Sequence, residues 1–351
     1  MKYSRQPVAA LVHFIHRRLL WVIVASYFAA AALPVFGLRL RTVELGSIPL
    51  PHGRLDVSPL QLMLAMLLFN AGLGLRVAEL GHVWRAPRLM VGGLVGNVLT
   101  PLAFIVAVSF ALGLWHNPEE AQQILVGLAL VAAMPVAGAS TAWAQNANGN
   151  LALSLGLVLF TTLLSPLLTP LVLHMVGFVT HGDYAEDLHT LAAEGAMDFL
   201  GLWVILPALL GMAVGWLLGE GRLRPAQPYL KLVNYAVLVL LNYSNASLTL
   251  PKALFQPDWD FLVIMLIIVA GLCLTTFAAG YGLARLLGAD RGGTVALMFG
   301  LGMNNNGTGL VLASMALAHH PEVLLPIIFY NLIQHLVASL VYTTLPRWRP
   351  A

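Results

Sequence analysis

FGLGMNNNGTGLVLAS, residues Phe299 to Ser314, sits inside an apolar run long enough to cross a bilayer. It sets three consecutive amides, Asn304, Asn305 and Asn306, among four glycines, Gly300, Gly302, Gly307 and Gly309. A continuous helix here would turn polar amides toward hydrocarbon, which is costly unless they face a cavity. A second interruption, MPVAGASTAWAQNANGN from Met134 to Asn150, lies in the first half of the chain. Pro135 breaks the helix, and Ser140, Thr141, Gln145, Asn146 and Asn148 follow it. Two polar-broken spans, one in each half, are the sequence pointer to a transporter's binding site.

Composition bounds the class. The chain has 351 residues, 59% hydrophobic and 9% charged, with a mean hydropathy of +0.83, where a soluble domain carries about 25% charged residues. This is the composition of a polytopic membrane protein. The pI of about 9.1 does not indicate nucleic acid, because the basic residues are scattered between apolar runs instead of forming a patch. Cys273 is the only cysteine, which excludes an intramolecular disulfide, a cysteine-zinc cluster and a vicinal thiol site. Metal hydrolysis would need a cluster such as HExxH, and aspartyl chemistry a pair of membrane aspartates, yet His335 and Asp198 stand alone. There is no P-loop, so neither an enzyme nor an ATP-driven pump is indicated. No cofactor beyond a coupling ion and no obligate protein partner is expected. Met1 to Arg18 is basic and lacks a small-residue cleavage site, so it reads as a cytoplasmic lead into a retained first span.

Apolar runs of about 20 residues, the length a helix needs for a hydrocarbon core of about 30 Å, number ten. They fall near 19–38, 58–77, 89–114, 121–147 (broken), 150–177, 195–218, 228–250, 260–285, 293–318 (broken) and 323–345. Each half holds five, with the broken one fourth. An odd number per half makes the two repeats face opposite ways, so the expectation is an all-α protein of two inverted five-helix repeats. The repeats are 1–177 and 195–351, joined by an external polar linker over 178–194. Charge agrees with this count: of the 18 basic residues only Arg39, Arg41, Arg54 and Lys252 fall on the outer side when both termini are cytoplasmic. Localisation is therefore expected in the cell's inner or plasma membrane, with lipid as the surrounding partner.

At an unwound break, backbone groups lose their helical partners and coordinating an ion or a substrate is one way to satisfy them. The half-helix that restarts presents free N–H groups and a positive dipole end, which favours an anion or a carboxylate. Asparagine and glycine suit such breaks because both tolerate left-handed backbone angles. For a lone amide, close helix packing is the stronger reading; for Asn304 to Asn306 together with the Pro135 to Asn150 run, binding is. Asn70, Asn97, Asn242, Asn245, Asn331, Gln334 and His335 are further polar positions within spans, and part of the Asn331–His335 face is expected to line the same cavity. Asp198 lies within a turn of Glu194 and reads as interfacial.

These residues resemble the bile acid:sodium symporter family. The likeness rests on Pro135, Gly138, Ser140, Gly149-Asn150, Ala152-Leu153-Ser154 and Ser165-Pro166-Leu167-Leu168-Thr169-Pro170, on Gly302-Met303-Asn304-Asn305-Asn306-Gly307, on Phe69 to Leu80, and on Gln334-His335. It implies broken helices 4 and 9 that cross, a core domain of spans 3–5 and 8–10, and a panel domain of spans 1, 2, 6 and 7. It also implies one sodium site at Ser140, Thr141 and Ser154. A second would use Asn304 and the carbonyls of Gly300, Leu301 and Met303, with Asn97 nearby. Asn70, Asn242, Asn305, Asn306, Gln334 and His335 would then contact substrate. The departures are specific: the family's sodium-binding glutamate is Gly300 here, and its helix 4 asparagine and helix 5 threonine are Thr141 and Val158. At most one sodium site is expected to survive.

The leading expectation is a secondary transporter for a small or amphipathic organic anion, working by alternating access, with sodium coupling that is reduced or altered. A proton-coupled or uncoupled carrier, or a membrane ligand sensor that does not transport, stays open.

Overall fold

The first apolar run does not cross as one rod. In the computed structural model, which describes residues 11–12, 14–15, 18–50, 53–75 and 86–345, helix α1 (Leu19–Ala32) meets α2 (Pro34–Thr42) at a bend of 87°. Pro34 supplies no N–H and disfavours helical angles at the residue before it, and Leu33 accordingly leaves the helix with φ −133° and ψ 62°. The apolar run expected as a span over 19–38 is this bent pair. A short local departure from the all-α plan follows directly. The polar, glycine- and proline-punctuated connection forms a hairpin of β1 (Gly46–Leu50) and β2 (Gly53–Val57), antiparallel, with Gly46 opposite Val57 and Leu50 opposite Gly53. Helix α3 (Pro59–Leu73) then opens on a capping box, with Ser58 and Gln61 satisfying each other's backbone N–H groups.

The chain continues with α4 (Pro87–Leu112), α5 (Pro118–Ala133), α6 (Gly138–Asn146) and α7 (Leu151–Gly177). The 178–194 stretch, expected as a polar linker, is helical from α8 (Asp183–Thr190) onward. Tyr184, Leu188 and Leu191 share a buried face at helical spacing, which gives this polar segment an apolar stripe to seat. It runs through a π-helical turn (Leu191–Gly195), α9 (Ala196–Leu200) and another (Gly201–Ile205) into α10 (Leu206–Leu223). Helices α11 (Gln227–Ala246), α12 (Leu250–Phe255), α13 (Trp259–Leu286), α14 (Arg291–Gly302), α15 (Asn306–Ala316) and α16 (Leu324–Thr344) complete the order.

Among the described residues, five helical stretches are long and apolar enough to cross a membrane: Pro87–Leu112, Leu151–Gly177, Asp183–Gly219, Trp259–Leu286 and Pro321–Thr344. The bent α1–α2 pair makes a sixth. The protein is an integral membrane protein. Lys2, Arg5, Arg17, Arg76, Arg85, Arg347 and Arg349, with Trp84, Trp348 and the last residues of the Phe69 to Leu80 motif, lie outside the described residues.

Two compact units divide the chain: Met1–Leu75 with Leu202–Pro257, and Arg76–Gly201 with Asp258–Ala351. In the first, α3 and α10 cross with backbone against backbone. A Cβ on Gly72 would run into the carbonyl oxygen of Ala208, and one on Gly211 into that of Phe69; Gly215, four residues on, faces Leu73. This small-residue spacing is how lipid-embedded helices gain dispersion contacts when no hydrophobic drive separates protein from lipid. Polar side chains join the other helices of this unit. Asn70 donates to Asn234 at 2.7 Å, Tyr27 to Asn242 at 3.4 Å and Arg41 to Asn245 at 2.8 Å. Tyr243 and Ser244 donate to the carbonyls of Leu33 and Gly37, which ties α11 to the bent α1–α2 pair.

The second unit is built around its broken helices. Every residue of α5 from Gln123 to Ala133 is buried, and so is every residue of α14 from Val295 to Gly302. A helix apolar on all sides belongs at the centre of a bundle. Gly280 lets α13 reach α14 closely, since a Cβ there would stand 2.7 Å from the carbonyl oxygen of Leu297.

Gly211→Leu is expected to lower the thermal unfolding temperature of the detergent-purified protein markedly, because overpacking costs about 1–3 kcal/mol or more and the obstacle here is backbone. The same enlargement at Gly282, where nothing lies within 4 Å, should leave it nearly unchanged.

Candidate functional site

The two helix breaks meet. Met134–Ala137 separates α5 from α6, Met303–Asn305 separates α14 from α15, and both segments are extended, with Met134 at φ −80°, ψ 146° and Met303 at φ −129°, ψ 112°. Val136 and Asn304 face each other as an antiparallel pair. Ala137 donates its N–H to the Met303 carbonyl and Asn305 donates its N–H to that of Pro135, both at 2.8 Å. Each break thus supplies partners for the other's backbone, a complete pairing in a region where water is scarce.

Side chains from the surrounding helices take up the remaining helix-end groups. Thr161 on α7 accepts the Val136 N–H at 3.0 Å and donates to the Leu157 carbonyl at 2.7 Å. Thr169, two turns on, donates to the last carbonyl of α5, that of Ala133, at 2.6 Å. Gln334 on α16 accepts the Asn304 N–H at 3.0 Å, and Asn304 donates its side-chain amide to the Val131 carbonyl at 2.8 Å. Asn305 caps α15 by accepting from Thr308 N–H at 3.4 Å, and Asn150 caps α7 by accepting from Leu153 at 3.0 Å. Asn150 also donates its own N–H to the carbonyl of Gly292 at 2.8 Å, which ties the start of α7 to α14.

Several polar atoms at the breaks remain without a partner. Ser140 Oγ, Asn304 Oδ1, both side-chain atoms of Asn306, and Thr308 Oγ1 are buried with no hydrogen bond, as is Asn97 Oδ1 on α4. An unpaired buried polar atom costs about 1–3 kcal/mol, so each of these atoms calls for a partner such as an ordered water or an ion. Every one of these groups is neutral, and most offer an oxygen.

The sequence-predicted residues separate into sets. Ser154 donates to Thr141 at 3.3 Å, beside the fully buried Ser140. Asn304 is joined to Gln334, which in turn donates to Asn331 at 3.3 Å. His335 is half-buried on the same helix. Gly300 and Leu301 lie on the buried strip of α14, and Met303 is buried in the break that follows it. Around Gly300 and Leu301 the environment is apolar: Leu301 belongs to a cluster with Met90, Leu153, Leu157 and Leu297, and a Cβ on Gly300 would meet Leu157 Cδ1 at 2.8 Å. Asn70 and Asn242 are in the first unit, bonded to Asn234 and Tyr27. Thr161 and Thr169 were not among the expected residues. The signal was present, since Thr161, Ser165 and Thr169 recur every four residues and all three are buried.

Residues 17–347 match the SBF-like CPA transporter family. The chain belongs to that family. A protein of Bacillus subtilis (strain 168) named uncharacterized protein YbaS is 28% identical over 285 residues, covering 79% of this chain and 85% of the relative. A second from the same organism, named uncharacterized sodium-dependent transporter YocS, is 27% identical over 288 residues, 82% of each chain. The family is one of transporters, and the symporter resemblance read from the two breaks agrees with it across most of the chain.

Thr161→Val, which keeps the shape and deletes the acceptor of the Val136 N–H, is expected to destabilise the protein by about 1–3 kcal/mol, read as a lowered unfolding temperature. Thr161→Ser, which keeps the hydroxyl, should recover most of it.

Proposed function

We propose that this protein is a secondary transporter that moves a small or amphipathic organic anion by alternating access, coupled to no more than one sodium ion. The observation that carries this reading is the set of partnerless oxygens at the paired breaks, Ser140 Oγ, Asn304 Oδ1, Asn306 Oδ1 and Thr308 Oγ1. Hard neutral oxygens suit a hard cation, which a site of carbonyls and hydroxyls holds by replacing its hydration shell. The sodium dependence in the name of the Bacillus relative YocS supports the choice of ion.

In this reading Ser140, Thr141 and Ser154 form one sodium position, and Asn304 with the Gly300, Leu301 and Met303 carbonyls, near Asn97, forms the other. Asn305, Asn306, Gln334 and His335 of the second unit recognise the substrate. Its anionic character follows from the positive dipole ends of α6 and α15, which start at the two breaks. The two units correspond to the panel and core of the symporter plan, ten spans form two inverted repeats, and both termini are cytoplasmic.

Coupling is limited by charge. Gly300 stands where the symporters carry a glutamate, and the space a side chain would enter from it is filled by Leu157. Two monovalent cations 4 Å apart repel by about 4 kcal/mol at an effective dielectric of 20, and nothing negative in these positions offsets it. One ion is tolerable; two adjacent ones are not. The same neutrality favours a second reading on the same fold, a proton-coupled or uncoupled carrier.

Titrating sodium against potassium or choline at constant ionic strength separates the two. The expected result is a sodium-specific rise in unfolding temperature with a Hill coefficient of about 1, since a ligand that prefers the folded state stabilises it by mass action, about 2.7 kcal/mol at a hundredfold excess over Kd. Ser140→Ala should abolish the rise. Absence of any sodium-specific shift would transfer the proposal to proton coupling, with uptake into proteoliposomes then following an imposed pH gradient. Uptake of organic anions unaffected by substitution of Asn305 or Asn306 would count against the substrate assignment.

A further inference from the structure

At the opposite end of α5 from the first break, two polar segments of the second unit bring a histidine and two carboxylates together. The connection after α4 carries Trp115, His116 and Asn117, and Glu120 follows in the first turn of α5; Asp260 is the second residue of α13. His116 Nε2 lies 3.1 Å from Asp260 Oδ2. One ligating atom from each of His116, Glu120 and Asp260 lies within 4.8 Å of the other two. None of the three has a part in the proposed transport site.

Glu120 is the unusual member. It is only 8% exposed, yet the groups that hold it are neutral: Trp115 Nε1 donates to its Oε2 at 2.8 Å and Asn117 Nδ2 to its Oε1 at 2.6 Å. These bonds fix the carboxylate's orientation and leave each oxygen a second lone pair. Glu120 and Asp260 both sit in the first turns of their helices. The Asp258 side chain stands against Asp260 and adds further acid to the cluster. His116 and Asp260 are 62% and 53% exposed, so an ion arrives from water without any opening of the fold.

We propose that His116, Glu120 and Asp260 form a binding site for a divalent transition-metal cation, zinc being the best fit. One imidazole nitrogen and two carboxylate oxygens, with an open position for water, is a ligand set zinc accepts at bonds of about 2.0–2.2 Å. Imidazole selects against magnesium and calcium, which prefer oxygen throughout, and zinc outranks manganese for a given nitrogen and oxygen site. A tetrahedral ion with such bonds holds its ligand atoms about 3.4 Å apart, and the exposed His116 and Asp260 side chains have the freedom to close on it. Glu120 is the fixed anchor, held by Trp115 and Asn117. The bound ion ties the connection that follows α4 to the first turn of α13.

Isothermal titration of zinc chloride into tag-free, metal-stripped protein in detergent tests this, with magnesium chloride as the control. The expected result is one zinc equivalent, no magnesium binding, and a Kd at least tenfold weaker in His116→Ala and in Asp260→Asn. Both substitutions are on exposed side chains, so the metal-free unfolding temperatures should match that of the parent. His174→Ala disrupts the other histidine pair, in which His174 and His189 place their Nδ1 atoms 2.9 Å apart, and should leave the titration unchanged. No zinc heat would overturn the proposal. So would a Kd that survives both His116→Ala and Asp260→Asn, or a loss of binding confined to His174→Ala.

Discussion

Everything in the second unit depends on the pairing of two helix breaks through Ala137 N–H to Met303 and Asn305 N–H to Pro135. Within a bilayer, irregular backbone is tolerated only where other protein or a polar cavity satisfies it. A single break would leave its amides and carbonyls exposed to an apolar interior. Two breaks laid antiparallel supply donors and acceptors to one another, and Thr161, Thr169 and Gln334 take up what is left. Pro135 and the Asn304–Asn306 run are tolerable for the same reason: each prevents a helix that the opposite break makes unnecessary.

That pairing does not consume every polar atom, and the remainder carries the functional argument. Ser140, Asn304, Asn306 and Thr308 keep buried atoms without partners, while Thr161 is engaged by the backbone and Gln334 by the Asn304 N–H and the Asn331 side chain. The first group keeps hydrogen-bonding capacity unspent and the second holds the frame. All of these groups are neutral, and Leu157 occupies the space beside Gly300.

The first unit solves its packing differently. Its α3–α10 crossing depends on Gly72 and Gly211, where no side chain fits, and its amide bonds, Asn70 to Asn234 and Tyr27 to Asn242, join neighbouring helices. Backbone contact of this kind is rigid, because any side chain at those positions would displace a main-chain carbonyl. The π-helical turns at Leu191–Gly195 and Gly201–Ile205 interrupt the helix that leads into α10, and the second of them contains the sequence boundary of the two units.

By itself the sequence determined the membrane class, the apolar segments and the two places where helices must break. Those follow from local properties: hydropathy over about 20 residues, a proline without its N–H, and amides where hydrocarbon is the alternative. It missed the bend at Pro34 as an 87° turn, the hairpin of residues 46–57 and the helical character of the stretch after Asp183. The helix after Asp183 takes its form from the apolar face it seats, Tyr184, Leu188 and Leu191, and the angle at Pro34 is not fixed by the proline alone. Tertiary structure alone decided which polar side chains are spent. Asn70 and Asn306 look alike in the sequence, but one is bonded to Asn234 and the other has no partner. Thr161 looks like an ordinary hydroxyl and receives the backbone of a break 25 residues away. Hydrogen bonds between distant segments depend on where helices cross, and a crossing is set by the glycines and carbonyls of both partners together, which no single stretch of chain contains.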